Sequence, residues 1–406
     1  MMVGALSTLQ AWATNNGWEK IDVPTRFEDD HGVWRYPGCS GGPVPTLQGL
    51  IPADTTFSFF IRRGDPQKLL IAWDGGGACW DPNTCVGSAI EESPIYDLTV
   101  GEKIEDEIDV TAGIYDRGRP DNPLGDYTQL FIPYCTGDLH TGAKDTTYSF
   151  TTAEGTVIPW TIHHRGFDNV VAVLSWLMQD YDNAVGQPPL DVFLTGASAG
   201  GYGVLYAYPV VDTLLPRNSH IRVLSDSANG VVNQDFYNRA LGDDSIWGIR
   251  DNLAPELVHA FESGPDFIAS ATYQSLGWHY PYTHFGQYTR AYDAVQVFFY
   301  NVARHIDSPE LWYDPAQLMA AGQEWAARTH AYMGLSALTT WNYRFYLAQG
   351  MEHTIIGDAN FYTEDSAEGV RFSNWVNDMI KLHSPEGSDW RNVSCAPHCS
   401  VAGDVP

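Results

Sequence analysis

Leu194-Thr195-Gly196-Ala197-Ser198-Ala199-Gly200-Gly201 is the stretch on which the reading of this chain turns. It is a G-x-S-x-G motif at the end of an apolar strand-like run, 190–195, and ahead of a small, apolar, helix-forming run, 202–206. A nucleophile held on a sharp strand-to-helix turn needs small neighbours, because side chains two positions to either side would strike crossing backbone. The same turn raises the serine Oγ to the carboxyl edge of a sheet. It also aims the first N–H groups of the next helix at any negative charge that develops there. The motif is common by itself; the strand before it and the helix after it give it weight, and they make Ser198 the expected nucleophile.

Outward from that turn, short β-rich runs alternate with helical patterns, which predicts an α/β fold: a mostly parallel central sheet flanked by helices. Runs 56–62 and 68–73 read as two strands joined by Gly64-Asp65-Pro66, a hairpin leading into the sheet. Runs 130–134, 221–224 and 343–348 read as further strands. Residues 167–181 are the clearest helix, since Phe167, Val170, Val171, Leu174, Leu177, Met178 and Tyr181 follow the 3.6-residue period. Between about 230 and 340 the pattern loosens and aromatics crowd 273–300, among them Trp278, Tyr280, Tyr282, Phe285 and Tyr288. We expect one domain over 1–406, with a helical, aromatic-rich cap inserted at about 230–340. A helix over 370–382 and a cysteine-bearing tail finish it.

A second motif, Leu70-Ile71-Ala72-Trp73-Asp74-Gly75-Gly76-Gly77-Ala78-Cys79, puts three glycines after a hydrophobic strand. There, backbone N–H groups can turn inward where a Cβ would block a substrate, and each such donor to an oxyanion is typically worth about 3 kcal/mol. A serine nucleophile also needs a base. In this fold's chain order of nucleophile, acid and histidine, only His353 directly follows a strand-like run in the last third. For the acid, the residues leave Asp226, Asp293, Asp307 and Asp314 open, with Asp226 ending a strand.

Composition narrows the partners. The formal charge is −28, from 50 acidic against 22 basic residues, of which five are Lys. So acidic a surface repels nucleic acid and anionic membranes and disfavours a polyanion such as unesterified pectin. It suits either a saline habitat or an ordinary acidic secreted protein. No run of eighteen apolar residues occurs, so no membrane span is expected. The oligomeric state is left open.

Six cysteines include two close pairs, Cys79 with Cys85 and Cys395 with Cys399, which leaves Cys39 to meet Cys135. Neither short spacing is the usual zinc pair, so disulfides and an oxidising, extracytoplasmic compartment are expected. Residues 1–13 are mildly apolar and lack a basic start; a secretory leader is expected to have been trimmed. Two rival classes were weighed. A metal-dependent hydrolase would use His163, His164 or the His279/His284 pair, but no H-E-x-x-H spacing supports it. A non-catalytic carbohydrate-binding protein would not need the nucleophile, the glycine run and the late histidine together.

Asp74-Gly-Gly-Gly-Ala-Cys79, Phe131-Ile-Pro-Tyr-Cys-Thr-Gly-Asp138, His164-Arg-Gly166, Gly196-Ala-Ser-Ala-Gly-Gly201, Leu224-Ser-Asp-Ser227 and Tyr292-Asp-Ala-Val-Gln296 stand in an order that resembles the pectin acetylesterase family. The likeness covers roughly 50 to 360 as dispersed blocks. It implies an α/β-hydrolase fold and hydrolysis of carboxylic esters with neither a metal nor an organic cofactor. The family's acid falls on Asp293, its histidine on His353 and its oxyanion donors on Gly76, Gly77 and Ala199. Its disulfides agree with Cys79–Cys85 and Cys39–Cys135. Two positions depart from the plant enzymes: Ala78 stands where they have Trp, and Ala197 where they have Cys. Trp80 is then expected to fill in at the mouth of the hole, and Trp80 and Tyr202 are the substrate-binding candidates. The expected substrate is an ester, first an acetylated polysaccharide, second a longer acyl ester or a polyester.

Overall fold

The computed structural model describes the chain except residues 1–10, 14–15, 43, 47–48, 52–54, 92, 183–185, 384–387 and 401–406. Most of the leader reading of residues 1–13 therefore lies outside the described residues. Eight strands build the main sheet: β1 (Trp18–Asp22), β2 (Ser58–Arg62), β3 (Asp65–Trp73), β4 (Tyr127–Ile132), β5 (Asp191–Ala197), β6 (His220–Asp226), β7 (His284–Arg290) and β8 (Tyr343–Ala348). Across the sheet they run β1-β2-β4-β3-β5-β6-β7-β8, and the short strands Ala11–Ala13 and Val393–Ser394 extend its two edges. From β4 to β8 every pairing is parallel, whereas β2 runs antiparallel to both β1 and β4. This is the expected α/β-hydrolase arrangement.

A parallel sheet must be covered on both faces, and strand side chains alternate between them. Leu69, Ile71 and Trp73 of β3 pack with Val192 and Leu194 of β5 against helices α1 (Gly166–Asp180) and α2 (Ala199–Leu214). The alternate residues Leu70, Ala72, Phe193 and Leu224 pack on the other side against Phe372, Trp375 and Met379 of the late helix Phe372–Ile380. Burying each large aliphatic side chain in these layers stabilises by roughly 2 kcal/mol.

Two expectations need correction. Strands β2 and β3 do not pair as a hairpin, because β4 lies between them: Phe60 faces Phe131, and Ile71 faces Leu130. The turn that looks self-contained is filled by β4, whose Asp126 carbonyl accepts from Asp65 N–H at 2.7 Å. A Cβ on Gly64 would lie 2.3 Å from the Tyr127 carbonyl oxygen.

Region 230–340 is also not helical throughout. It holds helices α3 (Pro255–Glu262) and α4 (Ile268–His279), then β7, then α5 (Ala294–Arg304) and α6 (Pro315–Thr339). Its aromatics divide accordingly. Phe285 and Tyr288 belong to the sheet core, while Trp278 and Tyr282 are 70% and 86% exposed.

The three expected disulfides are present: Cys39–Cys135, Cys79–Cys85 and Cys395–Cys399. The first closes a loop of 96 residues, worth about 5 kcal/mol on a chain-entropy account.

Candidate active site

Between β5 and α2 the backbone turns so sharply that Ser198 has φ 54° and ψ −120°, a conformation costing a non-glycine residue of order 1–3 kcal/mol. Small neighbours permit it. A Cβ on Gly196 would lie 2.0 Å from the Gly200 carbonyl oxygen, and one on Gly200 would lie 2.1 Å from that of Trp73. Ser198 N–H donates to the Asp226 carbonyl at 2.8 Å, and Gly201 N–H to the Ser198 carbonyl at 2.9 Å. Ala199, the first residue of α2, is buried beneath the turn.

Beyond the carboxyl end of β3, Gly76 and Gly77 have φ of +127° and +75°. A Cβ on Gly76 would lie 2.3 Å from an Asp97 carboxylate oxygen, and one on Gly77 would lie 2.0 Å from the Ile95 carbonyl oxygen. No side chain fits at either position, so backbone alone faces the space beside Ser198. Gly75, Gly76, Gly77, Ser198 and His353 line one open cavity of about 600 Å³.

His353 follows β8, and Asp293 follows β7 as the N-cap of α5. The Asp293 carboxylate is fully buried. It accepts the backbone N–H groups of Val295 (3.1 Å) and Gln296 (3.0 Å) and the Gln296 side-chain amide (2.9 Å). It also lies 2.8 and 2.9 Å from His353 Nδ1. A carboxylate in that position accepts, so Nδ1 carries the proton and Nε2 presents its lone pair. Nε2 is buried and has no hydrogen-bond partner. His353 and Ser198 line one cavity, and no hydrogen bond joins Nε2 to the serine Oγ.

The other acids take structural places. Asp314 caps α6, accepting from Ala316 and Gln317 N–H at 3.0 Å each. Asp226 does not reach the imidazole; its carboxylate accepts the backbone N–H groups of Ile355 and Ile356.

Part of the cavity wall is acidic. Asp74, Asp97, Asp106 and Glu107 line it, and His353 is the one basic residue among the described lining. Burial pushes the Asp74 carboxyl well above its ordinary range, and the nearby Glu107 and Asp97 charges add to that. Burial likewise raises Glu107, and it pushes Asp97 up to about 6. Asp97 and Glu107 sit in loops after the glycine run, where no local sequence pattern flags them.

Trp80 and Tyr202 line a different space, an apolar pocket of about 100 Å³ that also touches Ala78, Phe236 and Phe299. Trp80 is buried, with its ring edge-on to Phe236. The Tyr202 hydroxyl accepts from Gly230 N–H at 3.0 Å, and burial pushes its phenol up to about 12.

The histidines of the metal reading are engaged elsewhere. His163 pairs with Asp145 at 2.8 Å, and His164 bridges Thr136 O and Tyr148 OH at 2.9 Å each. His279 donates to Ser275 O at 3.0 Å, and His284 stands edge-on to Trp390. Among the described residues, Cys79, Cys85 and His164 are the cluster with metal-like spacing, and both sulfurs are held in their disulfide.

The blocks 131–138 and 164–166 meet at the Asp138 carboxylate, which accepts from Gly166 N–H (2.8 Å), Gly142 N–H (3.1 Å) and Thr136 Oγ1 (2.7 Å). Their place is to brace the sheet edge behind the site.

Residues 55–240 match the sequence profile of the family described as Pectinacetylesterase. A palmitoleoyl-protein carboxylesterase NOTUM of Schmidtea mediterranea is 30% identical over 168 residues, which is 41% of this chain and 27% of that protein. This chain thus spans about a quarter of that relative's length. The structure of the Wnt deacylase Notum from Drosophila superposes with a TM-score of 0.60 at 17% identity, covering 92% of this chain and 96% of that one. A second crystal form gives 0.56 at 15% identity, covering 93% and 99%. At such identities the likeness is one of fold.

Proposed function

We propose that this chain, residues 55–240 of which match the pectinacetylesterase family, is a serine carboxylic ester hydrolase that deacetylates a neutral polysaccharide. One observation carries the reading. Asp293 holds His353 Nδ1, and His353 lines the same cavity as Ser198 and the glycine run 75–77.

In the proposed mechanism, His353 Nε2 takes the Ser198 proton as Oγ attacks the ester carbonyl, and Asp293 steadies the imidazolium. Hydrogen bonds of this kind often tighten only in the complex with substrate. The backbone amides of Gly76, Gly77 and Ala199 hold the oxyanion. Collapse breaks the bond to the sugar oxygen, which leaves as a hydroxyl carrying the proton from His353. Water, deprotonated by the same Nε2, then attacks the acyl-enzyme and releases acetate and Ser198.

Two features support the substrate class. Phe299 on the wall of the Trp80 pocket approaches Gly77 of the catalytic cavity, a Cβ there lying 3.1 Å from its ring. That neighbouring pocket holds about 100 Å³, smaller than cavities of about 150 Å³ that accept benzene. It suits an acetyl group better than the fatty acyl group in the name of the NOTUM relative. The acidic wall repels a uronate chain and offers acceptors to sugar hydroxyls. The helices of 230–340 act as the cap through Phe236 and Phe299, within a single domain over 1–406. Three disulfides suit secretion, and no helix of the described residues is long and apolar enough to cross a membrane.

The test is an active-serine fluorophosphonate probe with a short-chain nitrophenyl ester. Ser198→Ala should abolish labelling and lower kcat by about 10⁶ on the precedent of other triads. A variant that keeps turnover, or a wild-type protein that takes no label, refutes the proposal.

A further inference from the structure

We infer that Asp226 is a positioning residue that holds the nucleophile turn and the histidine loop in one register. The inference rests on the hydrolase reading above.

Asp226 ends β6, directly between the two loops that must cooperate. Its backbone carbonyl accepts Ser198 N–H at 2.8 Å. Its fully buried carboxylate accepts Ile355 N–H at 2.7 Å, Ile356 N–H at 2.9 Å and the Ser227 hydroxyl at 3.0 Å. Ser227 Oγ in turn accepts Thr354 N–H at 3.0 Å. The three residues following His353 are thus pinned in succession to the end of one strand.

The backbone there would not adopt this shape unaided. Ser198, Ser227 and Thr354 are all non-glycine residues with positive φ, at 54°, 56° and 59°. Such conformations persist only where surrounding contacts over-determine them, and here the contacts converge on Asp226. A carboxylate so placed is expensive to bury without partners, and it is satisfied almost entirely by the loop it holds.

The experiment compares wild type, Asp226→Asn and Ser227→Ala, each checked for fold by circular dichroism and melting. In Asp226→Asn the carboxamide oxygen can keep both loop N–H groups, while its NH₂ replaces the oxygen that accepts the Ser227 hydroxyl and so disturbs the link from Ser227 to Thr354. The variant's kcat and its rate of fluorophosphonate labelling should fall by up to about 100-fold, as for a small displacement of a reacting group. KM should hold, since the substrate cavity is untouched. Ser227→Ala loses the link to Thr354, so kcat should fall several-fold, again with KM held.

Asp226→Asn with wild-type kcat and labelling rate overturns the inference, and so does Ser227→Ala with wild-type kcat if the Asn variant does not fold. Wild type that takes no label overturns the hydrolase reading itself, which keeps the two failures distinct.

Discussion

His353 Nδ1 and the Asp293 carboxylate meet at 2.8 and 2.9 Å although 60 residues separate them in sequence. The contact exists because β7 and β8 are parallel neighbours, so the loops at their carboxyl ends leave the sheet side by side. Replacing Asp293 by Asn tests the contact without removing the cap of α5, since a carboxamide oxygen can still accept from Val295 and Gln296. The Asn NH₂ would face Nδ1 and select the wrong tautomer. We expect kcat to fall by about 10⁴, as in other triads, with little change in melting temperature. An Asn variant within tenfold of wild type would sink Asp293 as the orienting acid.

The glycine run gives a graded series. A Cβ on Gly77 would lie 2.0 Å from the Ile95 carbonyl, at φ +75°, whereas one on Gly75 meets nothing closer than 3.1 Å. One of the atoms at that distance is Ser198 Cβ. Gly77→Ala should fail to accumulate as folded protein. Gly75→Ala should fold but press on the nucleophile, losing about tenfold in kcat. Soluble yield, melting and turnover of a nitrophenyl ester measure both, and equal behaviour of the two variants contradicts the geometry.

What was readable in the sequence was local. Ser198 lies on a strand-turn-helix within one short window, and the glycines follow a strand that ends in the apolar run 69–73. Strand β7 was not readable: His284-Phe-Gly-Gln-Tyr-Thr-Arg290 lacks an apolar run, yet Gln287, Thr289 and Arg290 are buried. Distant partners satisfy them, the Tyr343 hydroxyl bonding Gln287 at 2.6 Å and Glu364 pairing with Arg290 at 2.7 Å. Pairing of β2 with β3 failed for a related reason, since a Gly-Asp-Pro turn carries no sign that a strand from more than 60 residues later will separate its arms. For the acid, the residues leave Asp226, Asp293, Asp307 and Asp314 open; the family likeness selects the one that contacts the imidazole, while the place of Asp226 depends on a loop over 120 residues away.

Charge selection by the cleft can be read directly. Acetate release from acetylated xylan should be faster than from acetylated pectin of low methyl esterification. Raising salt from 0.15 to 1 M shortens the screening length from about 8 to about 3 Å, so the difference should narrow. Asp97→Asn, which removes a carboxylate from the cavity wall, should narrow it at low salt. Equal rates on the two polymers at low salt would remove the acidic wall from any account of specificity.

Acid stability depends on groups behind the site that burial drives in opposite directions. His164 is buried and pushed down to about 4, and Asp138 is buried and pushed up to about 6. For His164 the unfolded chain takes up its proton near pH 6.5 and the folded chain does not. Stability is therefore present above that pH and lost as pH falls toward 4, by about 3 kcal/mol. Asp138 has the opposite sign: the folded chain binds its proton first, so falling from pH 6 to below 4 adds about 3 kcal/mol. Urea unfolding at pH 7 and pH 4.5 should show His164→Gln gaining on wild type as pH falls and Asp138→Asn losing against it. The divergence follows because each variant deletes one side of a near-balanced pair, whatever its absolute cost at pH 7. Should both variants instead keep a constant offset from wild type across that range, neither group is held in the protonation state that its burial implies.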